Sequence, residues 1–190
     1  MSTEGLAAAM ATARSVLENV KPEHLDRPSP CASWDVRHVA NHLIGGAHWF
    51  AICTNNGAAP DVDTTEDTDY TAENSVAAYD AAVAEALAAF DAPGAQERMI
   101  TLPFGTFPGA AFMGIATVDQ FTHAWDLARA TGQSTDLAPE LAEQLLAGAK
   151  GMIGDAFRGP DGVAPFGAEV PIDDSAPAAD RLAAFLGRAT

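Results

Sequence analysis

The sequence predicts an all-α protein: a four-helix bundle with short accessory helices and room for one or two short strands. Three observations lead there. Alanine, the residue with the best intrinsic helix propensity, is very frequent, and β-branched runs are short. Four segments carry apolar residues at helical spacing over several turns. Proline, glycine and acidic clusters separate those segments into lengths that pack as a bundle. At 190 residues and 48% apolar content, the chain fits a single domain spanning 1–190 with a proper core.

The first helix is expected over roughly Gly5 to Glu18, with Leu6, Met10, Ala13, Val16 and Leu17 on its apolar face and Pro22 close behind it. Leu25 to Ser33 reads as a loop punctuated by Pro28 and Pro30. Ser33 is a good N-cap, and Asp35 in the first turn suits the positive end of a helix. The second helix then runs from Trp34 to about Thr54, with Val36, Val39, Leu43, Ala47 and Phe50 at helical spacing. Gly57 to Tyr70, rich in Asp and Thr, reads as a long loop.

A third helix is expected from Glu73 to about Phe90, stopped by Pro93-Gly94. Arg98 to Pro108 is extended, with Met99 to Leu102 as a short strand and Pro103 to Gly109 as a tight apolar loop. The fourth helix, about Ala110 to Thr131, is the most apolar and therefore central; Gly132 fits its C-terminal cap. A fifth helix runs from Pro139 to near Phe157. The stretch from Gly159 to Asp174 is irregular, with room for a strand at Glu169 to Ile172. A last short helix, Ala178 to Leu186, buries Leu182, Phe185 and Leu186.

The formal net charge is −16, from 26 acidic and 10 basic residues. Such a surface repels a nucleic-acid backbone or an anionic membrane, so neither is an expected partner. The acidic runs at Asp61 to Asp69 and Asp173-Asp174 read as solvated loops. The longest apolar stretches fall short of a bilayer span and no basic region precedes an apolar run at the N-terminus, so a cytoplasmic protein is expected. The two cysteines, Cys31 and Cys53, have no metal-finger or C-x-x-C spacing and read as free thiols. Cys31 precedes a helix start, where a thiolate gains some stability, yet its loop setting favours a structural role.

Five histidines are present, without a Ser-His-Asp order, a phosphate loop or an H-E-x-x-H motif. The informative pair is Asp119 and His123 on the fourth helix. Four residues turn a helix by about 400°, so these side chains lie about one turn apart on one face. Asp126, nearly two turns from Asp119, extends the stripe. Burying such a stripe without compensation is costly. A metal shared with another helix resolves it; a hydrogen-bonded Asp–His pair is the alternative. The second helix offers His38 and His42, again four apart, whereas His48 sits about 120° around the wheel from His42. Gly45 and Gly46 leave room for a ligand or for close helix packing. Two histidines and a carboxylate leave one coordination position open. Zinc is the first choice, with nickel, manganese and ferrous iron compatible. Asp126 could orient His123 or a bound water, or pair with Arg129. Trp34, Trp49 and Trp125 read as core or pocket wall. Phe104, Phe107 and Phe112 could cover one end of the site or belong to the core.

Three segments resemble the actinobacterial DinB-like proteins related to the metal-binding domain of mycothiol-dependent maleylpyruvate isomerase. They are Arg27 to Gly46 (RPSPCASWDVRHVANHLIGG), Asp119 to Gly132 (DQFTHAWDLARATG) and Asp180 to Arg188 (DRLAAFLGR). With the Pro103-Phe-Gly loop they cover essentially the whole chain. The resemblance implies a DinB-like four-helix bundle with a divalent metal on a second-helix histidine and an acidic-x-x-x-His pair. By position these fall on His42, Asp119 and His123, which selects His42 over His38. Two departures stand out. The isomerase has a second, C-terminal domain that helps form its active site, whereas this chain ends soon after the bundle; this argues against maleylpyruvate isomerisation itself. The acidic ligand is Asp here and Glu in the isomerase.

The functional expectation is a metal-dependent enzyme of the thiol S-transferase or isomerase kind, with mycothiol as co-substrate and a small electrophile as substrate. Two alternatives stay open: a non-catalytic metal-binding scaffold or stress-linked sensor, and a metal-assisted hydrolase. A homodimer is compatible with either class, although no residue marks an interface.

Overall fold

The computed structural model describes residues 2–31, 33–61, 68–72, 74–160 and 163–190. Helices α1 (Glu4–Leu17), α2 (Val36–Asn56), α3 (Ser75–Asp91) and α4 (Gly109–Thr131) form the bundle. A hairpin, β1 (Met99–Leu102) with β2 (Gly105–Pro108), lies between α3 and α4, and α5 (Pro139–Met152) and α6 (Ala178–Phe185) follow. In the bundle, α1 packs against α3 and α4, and α2 likewise packs against α3 and α4. The pairs α1/α2 and α3/α4 are therefore the diagonals. The two connections that must cross them, 18–35 and 92–108, are accordingly long. This order sets α2 directly beside α4.

The main core draws Leu6, Met10 and Leu17 from α1, Leu43, Ile44 and Phe50 from α2, Tyr79 and Phe90 from α3, and Phe112 from α4. The Phe112 ring meets Trp49, Phe50 and Phe90 with ring centroids 5.4–5.8 Å apart. A second cluster lies on the other side of α4, where Phe121 and Trp125 pack with Leu146 of α5 and with Leu182 and Phe185 of α6. Covered on both sides, α4 is buried continuously from Gln120 to Ala128. That explains why its apolar residues are not confined to one face. Of the polar side chains in that stretch, Gln120, His123 and Asp126 find hydrogen-bond partners, while the Thr122 hydroxyl finds none among the described residues.

Helix α2 starts two residues later than its periodicity suggests, and its N-cap is Asp35 rather than Ser33. The Asp35 side chain accepts from the His38 N–H. Ahead of it, Trp34 and Val36 are tied back to the 27–29 segment, through Ser29 N to Trp34 O and Val36 N to Arg27 O. Those bonds hold Trp34 out of the helix. The far end of α2 runs on to Asn56, closed by Gly57 in the left-handed conformation, as Gly132 closes α4. Helix α3 is capped by Asn74, whose side chain accepts from Ala77 N; the expected start at Glu73 lies outside the described residues, as do 62–67 of the long loop.

The Pro103 to Gly109 stretch is not a simple loop. It contains β2, antiparallel to β1 from Met99↔Pro108 to Leu102↔Gly105, with Pro103-Phe104 as the two-residue connection. Phe104 is 62% exposed at that tip and packs on Phe107, while Phe112 belongs to the core, so the three do not form a cover over one site. At Gly109, a Cβ would lie 2.0 Å from Ala95 O, so only glycine lets α4 begin against this backbone. Helix α5 ends at Met152, and Asp155–Phe157 is a separate 3-10 turn. Gly151 and Gly154 flank the break, where Ile153 adopts φ −97 and ψ 95. No strand forms at Glu169 to Ile172; Val170 N instead donates singly to Ala184 O at the end of α6.

Candidate metal centre

The side-by-side packing of α2 and α4 brings His42 of the one against Asp119 and His123 of the other. His42 Nε2 lies 3.2 Å from Asp119 Oδ1, and His123 Nε2 lies 3.7 Å from the same oxygen. One ligand atom from each of the three residues falls within 4.8 Å of the other two, the one such His/Cys/Asp/Glu group among the described residues. A tetrahedral ion with bonds of about 2.0–2.1 Å places its ligand atoms about 3.3 Å apart. The donor set, two imidazole nitrogens and one carboxylate oxygen, suits a divalent cation in chemistry, and the two contacts to Asp119, 3.2 and 3.7 Å, lie near that spacing.

The surroundings orient each group. His123 Nδ1 is 3.0 Å from Asp126 Oδ2. An ionised carboxylate only accepts, so His123 donates Nδ1–H to Asp126, which turns its Nε2 toward Asp119 and His42. Asp126 is 0% exposed and is met from α6's C-terminal side by Arg188, whose Nη2 and Nε lie 3.3 and 3.4 Å from its oxygens. Burial pushes the Asp126 carboxyl up, but Arg188 and His123 outweigh it and hold it below the ordinary carboxylate range. Asp119 follows the same pattern: burial raises it, while His42, His123 and the Gln120 amide bring it down on balance. Gln120 Nε2 reaches Asp119 Oδ2 at 3.3 Å and Leu43 O at 3.2 Å, and Tyr79 OH donates to Gln120 Oε1 at 2.6 Å. Trp34 covers both imidazoles, its ring centroid 4.7 Å from His42 and 5.4 Å from His123. Gly46, one turn on from His42, leaves open the space where a Cβ would stand 3.8 Å from Asp119 Oδ2 and 3.9 Å from His42 Nε2.

The other histidines lie elsewhere. His38, 63% exposed, folds back on its own cap residue with Nδ1 2.7 Å from Asp35. His48 pairs with Glu85 at 2.8 Å and stacks on Tyr70. His24 accepts from Lys21 N within its own turn. Of the tryptophans, Trp34 is site wall, whereas Trp49 and Trp125 are core, Trp125 donating to Asp180. Asp126 does pair with an arginine, but with Arg188 rather than Arg129, which is exposed on α4. Sequence reasoning passed over Arg188 and Gln120. The signal for Arg188 was available: a carboxylate on a buried helix requires a cation, and the chain has only 10 basic residues. Gln120 gave no such signal.

Fold and site together define a DinB-like helical bundle with a His–Asp–His cluster spanning two neighbouring helices. The family model for the mycothiol maleylpyruvate isomerase N-terminal domain matches residues 6–128, and the chain belongs to that family. Two Mycobacterium tuberculosis proteins, uncharacterized protein Rv0738 of strain H37Rv and uncharacterized protein MT0763 of strain CDC 1551, are each 43% identical to it over 178 residues. The match takes in 92% of this chain and 90% of theirs. The crystal structure of the mycothiol-dependent maleylpyruvate isomerase superposes with a TM-score of 0.55 at 18% identity, covering 77% of this chain and 68% of that one, a likeness of fold.

Proposed function

We propose that His42, Asp119 and His123 hold a divalent metal, and that the protein uses it to present a low-molecular-weight thiol, mycothiol, to a small electrophile in a transfer or isomerisation reaction. One observation carries this reading: three ligand atoms from two helices converge on one point, with His123 turned there by Asp126 and Arg188. The family and the mycothiol dependence of the structural neighbour support the choice of thiol. Zinc is the first candidate ion, with nickel, manganese and ferrous iron compatible with the same donors.

Bound there, the ion would supply Lewis acidity, lowering the pKa of a thiol or water and polarising a carbonyl. The chain's own residues have separate tasks. His42 and His123 would each offer an imidazole Nε2, and Asp119 would offer a carboxylate oxygen already held ionised by its neighbours. Asp126 keeps the proton of His123 on Nδ1, away from the ligand side. Trp34 excludes water from the face of the two imidazoles, and Gly46 leaves space beside the ligand atoms.

The test is to measure mycothiol binding by zinc-loaded protein and turnover with a panel of small electrophiles that includes maleylpyruvate. Thiol-dependent conversion that disappears in His42→Ala and Asp119→Ala is the expected result. Neither mycothiol binding nor conversion of any electrophile overturns the proposal. Conversion without added thiol points instead to metal-assisted hydrolysis.

A further inference from the structure

Two residues outside the ligand set, Gln120 and Tyr79, form a polar chain through an otherwise apolar core. Both side chains are 0% exposed. Tyr79 stands on α3, Gln120 on α4, and the carbonyl of Leu43 on α2 directly follows His42 in sequence. The hydrogen-bond inventory fixes how the amide is turned. Leu43 O and the ionised Asp119 Oδ2 can only accept, so both need the amide NH2; the Gln120 Oε1 is then left to accept from the Tyr79 hydroxyl. No other assignment satisfies all three contacts. Burial pushes the Tyr79 hydroxyl well above its ordinary pKa, and the charges of Asp119 and Asp80 push the same way, so it stays a proton donor.

The consequence falls on Asp119. Its two oxygens have different tasks: Oδ1 faces His42 Nε2 and His123 Nε2, and Oδ2 accepts from Gln120. The same NH2 group grips the α2 backbone beside His42. One buried amide thus ties the carboxylate of α4 to the helix that carries His42.

Resting on the metal reading above, we propose that Gln120, held by Tyr79, is a positioning residue that restricts Asp119 to ligation through one oxygen and sets the spacing of Asp119 from His42. Asp is shorter than Glu, and a carboxylate free to rotate can offer both oxygens to one ion. The Gln120 bond removes that option, which keeps the coordination number low and the remaining position open for an exogenous ligand.

The experiment is cobalt(II) substitution with zinc competition in the wild type, Gln120→Leu and Tyr79→Phe, with folding checked by circular dichroism. Cobalt(II) d–d bands weaken as the coordination number rises. Gln120→Leu is expected to show weaker, shifted visible bands and a zinc affinity lower by about 10- to 100-fold, the usual effect of losing such a support. Tyr79→Phe, which removes one hydroxyl and leaves the amide, is expected to change both readouts in the same direction by a smaller factor. If Gln120 were merely structural, thermal stability would fall while band intensity and zinc affinity of the folded protein stayed at wild-type values; that result overturns the proposal. Should Gln120→Leu not fold, an unchanged spectrum and affinity in Tyr79→Phe overturns it alone. A folded wild type that binds neither cobalt nor zinc removes the metal reading and this inference with it.

Discussion

Arg188→Met is the most informative perturbation of the support behind His123. It removes the cation from Asp126 and keeps most of the apolar bulk of the side chain. Deleting one partner of a buried ion pair costs about 3–5 kcal/mol, because the other charge stays buried without compensation. Here the contacts are 3.3 and 3.4 Å, and Asp126 retains His123 at 3.0 Å, so the lower end applies, about 3 kcal/mol. For a chain of this size that corresponds to a fall in Tm of about 6–12 °C. Urea melts at neutral pH measure it, together with Asp126→Leu/Arg188→Met, which leaves no buried charge and should recover much of the loss.

The pH dependence gives a second check on the same pair. In the wild type the folded pKa of Asp126 is depressed, with burial opposed and outweighed by Arg188 and His123. Its contribution to stability is therefore fully present above the unfolded carboxylate pKa of about 3.9 and is lost as pH falls through the lower folded value. Without Arg188, burial is opposed by His123 alone, and the pKa moves up. The deficit of Arg188→Met should then be largest near neutrality and shrink in acid. A loss under about 1 kcal/mol at pH 7, or a deficit that grows on acidification, refutes the assignment of Arg188 as the counter-ion.

Three further outcomes are expected. His42→Ala and Asp119→Ala, purified without added metal, should each carry far less bound metal than wild type by elemental analysis; undiminished content in both would remove these residues from the site. Gly46→Ala should fold with unchanged or slightly higher stability, up to about 1 kcal/mol, since its Cβ meets neighbours only at ordinary contact distances of 3.6–3.9 Å. The same methyl stands beside the ligand atoms, so calorimetry should show weaker thiol binding at unchanged metal affinity. Gly109→Ala should be severely destabilised, by more than about 3 kcal/mol in urea melts, because its Cβ would stand 2.0 Å from Ala95 O.

Much of the bundle was legible in the sequence because helical periodicity and end signals are local. The apolar stripes of α1 to α4, the Gly132 cap and the buried end formed by Leu182, Phe185 and Leu186 are patterns within one segment. The misses were contests between local and non-local bonding. Ser33 is as good a cap as Asp35 in isolation, but Trp34 is drawn into pairing with the 27–29 segment, which moves the helix start. The stretch after Pro103 carried no strand signal of its own; β2 exists because β1 lies beside it. Helix α5 stopped short of Phe157 where two glycines outweighed the apolar pattern.

The candidate site divides along the same line. From sequence alone, Asp119, His123 and Asp126 had to share a face of an apolar helix, since helix geometry fixes which residues line up, and a buried acidic stripe had to be compensated. Which groups compensate it was a tertiary decision. Resemblance pointed to His42, and the packing of α2 beside α4 brings it to Asp119, while His38, equally placed on the wheel, is turned away to its own cap. Arg188 arrives from 62 residues beyond Asp126, and Tyr79 from 41 residues before Gln120. No periodicity within a segment encodes such distances. They follow only from the order in which the helices pack, and that order rests on the whole core.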